Sequence, residues 1–269
     1  MIKDASSISA LTRSGRAGAV VILVAVALNA SLVFMPKPAF LIAVSGHGLL
    51  FILALVFRDP MAVHVTMLTF LSAVWGKIWP SFWPFYLLGP LVIYAMVVAI
   101  IPRLRQTTSW LRLGQFDRVV WWLVGLTIFI SSFGLLLWFI LWQPNLSRWL
   151  TILPSWNPML LIPVGLGFAL VNAAIEEAVY RGILMQGLDA ALGASNIPVI
   201  LQAISFGLLH LNGVPGGWCG IAMATVYGLM LGLLKRRAQG MLAPFVAHVF
   251  ADVVIFTILV LFIPSSPPE

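Results

Sequence analysis

The sequence predicts an all-α protein, a polytopic transmembrane helical bundle of about eight to nine spans. Three observations carry that prediction. The 269 residues are 61% hydrophobic and only 9% charged, with a mean hydropathy of +1.06. Soluble domains run near about 25% charged, so this chain has too little polar surface to cover a water-soluble globule, and the excess apolar area must face lipid. Apolar runs of the length a bilayer crossing needs, about 20 residues, recur along the whole chain. The basic residues that give the net charge of +7 lie in the short gaps between those runs, as cytoplasmic loops require. No nucleic-acid partner is expected from charge so placed.

The candidate spans are 17–35, 39–57, 61–79, 82–101, 119–142, 158–190, 197–211, 218–234 and 240–262. The first run reads as a span rather than a removed signal peptide, because no small-residue cleavage site and soluble domain follow it. Proline and glycine punctuate the joins, at Pro36 and Pro38, Pro60, Pro80 and Pro84, Pro102, Pro144, Pro154 and Pro158, and Pro215 to Gly217. The first four spans form closely spaced hairpins, and 102–118 is the longest polar stretch. The run 158–190 is too long for one straight crossing. Cys219, the one cysteine, cannot form an internal disulfide. The organisation expected is one membrane domain, with accessory transmembrane helices over 1–150 and a chemistry-bearing core over 151–269.

Nine spans with the N-terminus inside place twelve of the 15 Lys and Arg on the inner side: Lys3, Arg13, Arg16, Arg58, Arg103, Arg105, Arg112, Arg118, Arg181, Lys235, Arg236 and Arg237. Only Lys37, Lys77 and Arg148 fall outside. Adding or losing one span would flip half of this distribution, so span count and orientation support each other. Trp79, Trp83, Trp110, Trp121, Trp142, Trp149, Trp156 and Trp218 lie near run ends, where interfacial aromatics belong.

Ionisable groups inside apolar spans cost a few kcal/mol each and mark functional sites. The N-terminal half offers His47, His64 and Lys77; the C-terminal half holds Glu176, Glu177, Arg181, His210, His248 and Asp252. In a helix, Glu177 faces Arg181 one turn on, in the favourable order of acid before base. Glu176 turns about 100° away, toward Asn172 and Tyr180. One carboxylate thus has a local counter-ion and the other has none, which suits the second to proton transfer. A purely structural Glu177–Arg181 pair is an equal reading of that spacing. His210 follows Phe206 by one turn, where the ring can wall it from lipid; a lone histidine is also an ordinary packing residue. His248 and Asp252 are again one turn apart, so the carboxylate can accept from an imidazole N–H and fix its tautomer. Measured from the helix ends at about 1.5 Å per residue, all four acidic and imidazole groups can share one slab of the bilayer.

Taken together, Glu176-Glu177-Ala-Val-Tyr-Arg181, Phe206-Gly-Leu-Leu-His210 and His248-Val-Phe-Ala-Asp252 resemble the motifs of the CPBP family. That family includes the CAAX prenyl endopeptidases of the Rce1 type and bacterial homologues linked to bacteriocin processing or immunity. The resemblance covers roughly 158–262 and implies a Rce1-like core in the C-terminal half. It implies a glutamic-type intramembrane endopeptidase in which Glu176 and His210 activate a water. His248 and Asp252 would stabilise the oxyanion, and Glu177, Arg181 and Phe206 would support the site. The family's prenyl endopeptidases carry asparagine where this chain has Asp252; an ionised aspartate cannot donate to an oxyanion, so it would have to be protonated or act through His248.

The implied partner is a membrane-anchored or hydrophobic-tailed peptide or protein, besides membrane lipid. The implied location is the bacterial cytoplasmic membrane with the N-terminus inside. No cofactor is expected. A zinc site on Glu176, His210 and His248 is the metal alternative, although no His-Glu-x-x-His stands on one helix. A proton-coupled transporter would use the same buried groups, but no inverted repeat is visible. A non-catalytic peptide-binding immunity protein would use the same cleft.

Overall fold

The computed structural model describes residues 13–36, 39–78, 85–147 and 158–261. The expected boundary at 150/151, and Trp79, Trp83, Arg148, Trp149 and Trp156, lie outside them. The described residues form a bundle of α-helices: α1 (Arg16–Ser31), α2 (Phe40–Val56), α3 (Pro60–Ile78), α4 (Phe85–Ile100), the short α5 (Pro102–Thr107) and α6 (Arg118–Trp142). Then come α7 (Pro158–Glu176), α8 (Met185–Leu192), α9 (Asn196–Leu209), α10 (Gly217–Ala238) and α11 (Leu242–Leu261). Between α7 and α8 the chain does not break but runs through a π-helical stretch, Glu177–Leu184. The described helices agree with the expected spans nearly end for end. Five are long and apolar enough to cross a membrane, and Phe40–Val56, Pro60–Gly76, Tyr86–Ile100 and Asn196–Asn212 are shorter apolar helices. The chain is an integral membrane protein.

The helix limits follow from local chemistry. Pro60, Pro102 and Pro158 begin α3, α5 and α7, where a missing N–H costs nothing. Asp117 caps α6 by accepting from the Val120 N–H at 2.8 Å. That bond and the guanidinium of Arg237 beside it hold the Asp117 carboxyl below its usual range. Gln143 and Gln239 take left-handed conformations that close α6 and α10. Along α6, Val120, Val124, Thr127, Leu135 and Trp138 face the protein, while Trp122, Phe129, Phe133 and Ile140 are turned outward. The outward residues are as apolar as the inward ones, which is the signature of a lipid solvent.

Between two helices in lipid there is no hydrophobic drive, so close association relies on small residues. On α10, Gly220, Ala224, Gly228 and Gly232 recur every fourth residue and are buried. Ala203 and Gly207 of α9 meet this stripe. A Cβ on Gly228 would lie 3.1 Å from the Ala203 Cα, and one on Gly207 would lie 1.9 Å from Thr225 Oγ1 and 2.8 Å from the Ile221 carbonyl. This contact sets the position of Phe206 and His210 at the end of α9. Near the site, α11 packs on both α7 and α6.

One hydrophobic cluster joins the two halves of the chain. It contains Val21, Ile22 and Val65 from α1 and α3 together with Val179, Ile183, Leu184 and Leu188 around α8. Gln186 adds a polar tie: its Oε1 accepts from the Ser109 and Trp110 N–H groups at 2.9 and 3.0 Å, and its Nε2 donates to the Thr107 carbonyl at 2.9 Å. His64 is a satisfied packing residue, bonded to the Tyr94 hydroxyl at 2.7 Å and Thr107 Oγ1 at 3.0 Å. His47 is fully buried.

The basic segments gather at one end of the bundle. Ser14 N–H donates to the Ala190 carbonyl, Arg103 to the Arg58 carbonyl, and Gln115 N–H to the Ala238 carbonyl. Arg236 grips Asp189 with two N–H groups, and Arg237 binds Asp117. At the opposite end, the rings of Phe34 and Trp218 stack at 6.4 Å.

Two predictions follow from the packing and the charge placement. Gly207→Val, which drives a branched side chain into the Ile221 carbonyl, should destabilise the bundle by about 1–3 kcal/mol, measured as a lowered thermal midpoint in detergent. With Cys219→Ser as background, an impermeant maleimide added to intact cells should label Trp218→Cys and leave Leu111→Cys unlabelled. Labelling at position 111 alone would reverse the orientation.

Candidate active site

The π-helical stretch begins at the first residue after Glu176. In it the Met185 N–H reaches the Tyr180 carbonyl, five residues back, one residue further than in an α-helix, so the turn is wider. Such insertions are rare and gather at functional sites. Here the wide turn carries Glu177, Tyr180 and Arg181, all buried. Lys235 of α10 supports it from the basic end by donating to the Arg181 carbonyl.

Glu177 Oε1 is the hub of the site. It lies 2.9 Å from Arg181 Nη1 and 2.7 Å from His248 Nδ1. The expected Glu177–Arg181 pairing is therefore present, but it extends to a histidine on another helix. Arg181 is 0% exposed, and its guanidinium carbon sits 4.3 Å from the centre of the Phe206 ring. A cation so desolvated requires both the carboxylate and the aromatic face.

The structure corrects two details of the spacing argument. Glu176 is not without a partner: its Oε2 lies 3.2 Å from His248 Nε2. Asp252 does not fix the His248 tautomer, since its Oδ1 is 3.9 Å from Nε2, too far for a hydrogen bond. Asp252 Oδ2 instead accepts from Asn172 Nδ2 at 3.0 Å. One-helix reasoning cannot see such contacts, because Glu176, Glu177 and His248 meet only when α7 packs on α11. The two ring nitrogens of His248 thus each face a carboxylate. Neutral imidazole donates at only one nitrogen, so a neutral ring can donate to one of these two carboxylates and a protonated ring to both.

His210 stands just past α9, at the start of a short 3₁₀ turn, His210–Asn212. Its Nδ1 is tied to the Phe206 carbonyl at 3.0 Å, a bond that does not involve Nε2. His210 lines the same cavity as His248 and Asp252. Phe206 is the wedge common to all of these groups. Its ring lies 4.7 Å from His210, 5.9 Å from His248 and 5.1 Å from Tyr180, centre to centre. All seven residues singled out in the sequence therefore come together.

Sequence reasoning passed over three contributors. Asn172 holds Asp252, and Lys235 holds the π turn. Tyr227 presents its ring at right angles to His248 at 5.7 Å and anchors its hydroxyl on the Ala247 carbonyl at 3.0 Å. Their signal was present only weakly: an asparagine one turn before Glu176, and a tyrosine within the α10 stripe of small residues.

Beside the ionic cluster lies a cavity of about 330 Å³ between α6, α9, α10 and α11. His210, His248 and Asp252 line it together with apolar groups such as Leu135, Met223 and Ile255. A peptide with an apolar side chain can fit against that wall while its backbone meets the polar groups. Both His248 nitrogens already face carboxylates, and among the described residues no group of three or more His, Cys, Asp or Glu side chains is arranged to hold a metal.

No curated protein and no solved structure matches the chain. A family model does match, that of the type II CAAX prenyl endopeptidases, Rce1-like, and it covers residues 157–254. It thus takes in Glu176, Glu177, Arg181, Phe206, His210, His248 and Asp252, the residues that the helices bring to one buried cluster. The C-terminal part of this membrane protein is a Rce1-like domain.

Proposed function

We propose that the chain is an intramembrane endopeptidase that hydrolyses a peptide bond of a membrane-anchored or hydrophobic-tailed protein or peptide. At the level of the family, a Rce1-like domain implies intramembrane proteolysis of the CAAX-protease type. The observation that carries the finer reading is the Glu176–His248–Glu177 set on the edge of an apolar cavity. A carboxylate, an imidazole and a place for a peptide stand within reach of one another.

In the proposed reaction, Glu176 accepts a proton from a water as the water oxygen bonds to the scissile carbonyl carbon. His210, held by the Phe206 carbonyl, orients that water. Once protonated, Glu176 no longer competes for the Nε2 side of His248. His248 then donates to the new oxyanion, which is where preorganised donors contribute most. Collapse of the tetrahedral intermediate breaks the C–N bond, and Glu176 returns its proton to the leaving amine. Glu177 and Arg181 keep the imidazole in place and balance its charge. Asp252 acts by orientation, tied to Asn172. The groups stand in the C-terminal half, and the helices over 1–150 serve as an accessory layer. The bacterial cytoplasmic membrane, N-terminus inside, is the compartment this reading places it in.

Glu176→Gln removes the base at nearly constant volume. It should lower cleavage of a membrane-anchored reporter peptide by about 10²–10⁴-fold while leaving the thermal midpoint close to wild type; wild-type turnover would refute the assignment. Glu177→Gln should lose both activity and about 3–5 kcal/mol of stability, because it strands a buried guanidinium. Asp252→Asn, whose amide oxygen can still accept from Asn172, should keep activity within about tenfold.

The metal-free mechanism makes a separate prediction. Purified protein should carry no stoichiometric zinc and should cleave after prolonged treatment with EDTA or phenanthroline. One zinc per chain, with lost activity restored by added metal, would replace water activation by Glu176 with a metal-centred reaction.

A further inference from the structure

At the basic end of the bundle, well away from the cluster just described, there is a second cavity of about 460 Å³. It lies between the first turn of α1, the α2–α3 turn and the start of α5. Arg13, Arg16, Arg58 and Arg103 line it, with Asp59 as the one acidic residue. The Asp59 carboxylate is already engaged. Its Oδ1 accepts from Ser14 Oγ at 3.1 Å and from the Ala62 N–H at 3.0 Å, and its Oδ2 from the Gly15 N–H at 3.1 Å. Among the described residues no carboxylate oxygen lies within 4.0 Å of any of the four guanidinium groups. Arg103 donates to the Arg58 carbonyl, which is neutral. Among the described residues the cavity therefore sets four guanidinium groups against a single carboxylate, that of Asp59, which pairs with none of them.

Topology alone does not explain this arrangement. A positive-inside signal works wherever in a loop the charges lie. Here they come from three separate segments, at 13–16, 58 and 103, and line one concave space. Arg58 sits where α2 ends. Its backbone is left-handed, with φ of 54°, a conformation that favours glycine or asparagine. The same conformation closes α6 and α10 at Gln143 and Gln239; at Arg58 it ends α2 where glycine would be the easier choice. The pocket wall also includes Phe57 and Pro60, and the Phe57 side chain is exposed, so an apolar surface adjoins the cations at the end of α2.

We infer that this cavity binds the phosphate of an anionic phospholipid headgroup, with the guanidinium groups of Arg13, Arg16, Arg58 and Arg103 as its ligands. Guanidinium forks match phosphate oxygens two at a time and cannot be neutralised by deprotonation. Basic pockets between membrane helices at the level of the lipid headgroups suit such ligands. The site would tie α1, α3 and α5, and through them the outer wall of the Rce1-like domain, to the surrounding lipid. It is independent of the proteolytic reading.

The test uses the full-length protein in detergent. Lipid retention is followed by native mass spectrometry, and thermal midpoint by tryptophan fluorescence, with phosphatidylglycerol, phosphatidylcholine or inorganic phosphate added. The wild type should retain phosphatidylglycerol over phosphatidylcholine and be stabilised by it. Arg58→Gly removes a guanidinium while relaxing the backbone, so it should fold normally and weaken retention about fivefold. The triple variant Arg13→Gln, Arg16→Gln, Arg58→Gln should weaken it on the order of a hundredfold. Arg112→Gln with Arg118→Gln, elsewhere on the same end, should have little effect. Stabilisation by inorganic phosphate to the same degree would assign the site to a soluble phosphate. No discrimination between the two lipids together with no response to phosphate in the wild type would overturn the proposal. So would an unchanged Arg58→Gly, or an equal loss in the Arg112 and Arg118 control.

Discussion

Everything near the candidate site depends on one requirement, that the Arg181 guanidinium be neutralised where no water reaches it. Arg181 is fully buried in the bundle, and an unpaired cation there would cost several kcal/mol. Glu177 answers it from one turn away, and the same oxygen takes the Nδ1 side of His248. That shared oxygen draws α11 against the π turn, and His248 in turn brings Glu176 into register. Phe206 closes the other side of the guanidinium. The site is thus assembled outward from a charge-balance problem, and the groups offered for chemistry occupy the places that solving it leaves.

The π-helical stretch belongs to the same logic. An α-helix would set Glu176 and Glu177 about 100° apart. The structure brings both to one imidazole while keeping Arg181 beside Glu177. A wider turn leaves backbone carbonyls looking for donors, and Lys235 supplies one at Arg181. The stripe of small residues on α10 acts at longer range, since it lets α9 approach closely enough for Phe206 to fill the centre of the cluster.

Most of the fold was legible in the sequence because lipid imposes a simple rule: apolar runs of a set length, punctuated by proline, glycine and arginine. The described helices start and stop within a few residues of those runs. The residues of the candidate site were legible for the complementary reason, that ionisable groups stand out in such runs. What one-dimensional spacing could not give was pairing between helices. It matched His248 with Asp252 and left Glu176 alone, because neighbours one turn apart are the only contacts a sequence displays. The bond from Asn172 to Asp252 spans 80 positions, and the contact from Lys235 to Arg181 spans 54. The π turn was invisible too, since nothing in Glu-Ala-Val-Tyr-Arg-Gly distinguishes it from an α-helix. The Gly220, Ala224, Gly228 and Gly232 stripe was there to be read and would have announced the close α9–α10 approach.

The matched segment, residues 157–254, shares a hydrophobic core with the helices of the first half of the chain. The face of α8 toward α1 and α3 is sealed by Ile22 and Val65, and a Cβ on Gly187 would lie 2.2 Å from Val65 Cγ2. In the first half of the chain, substitutions at Ile22 and Val65 are therefore constrained by α8 across the boundary. The leading helices cannot be traded as a detachable cassette. Where they vary between lineages, α8 and its contacts must change with them, so the history of the two halves should read as one correlated record.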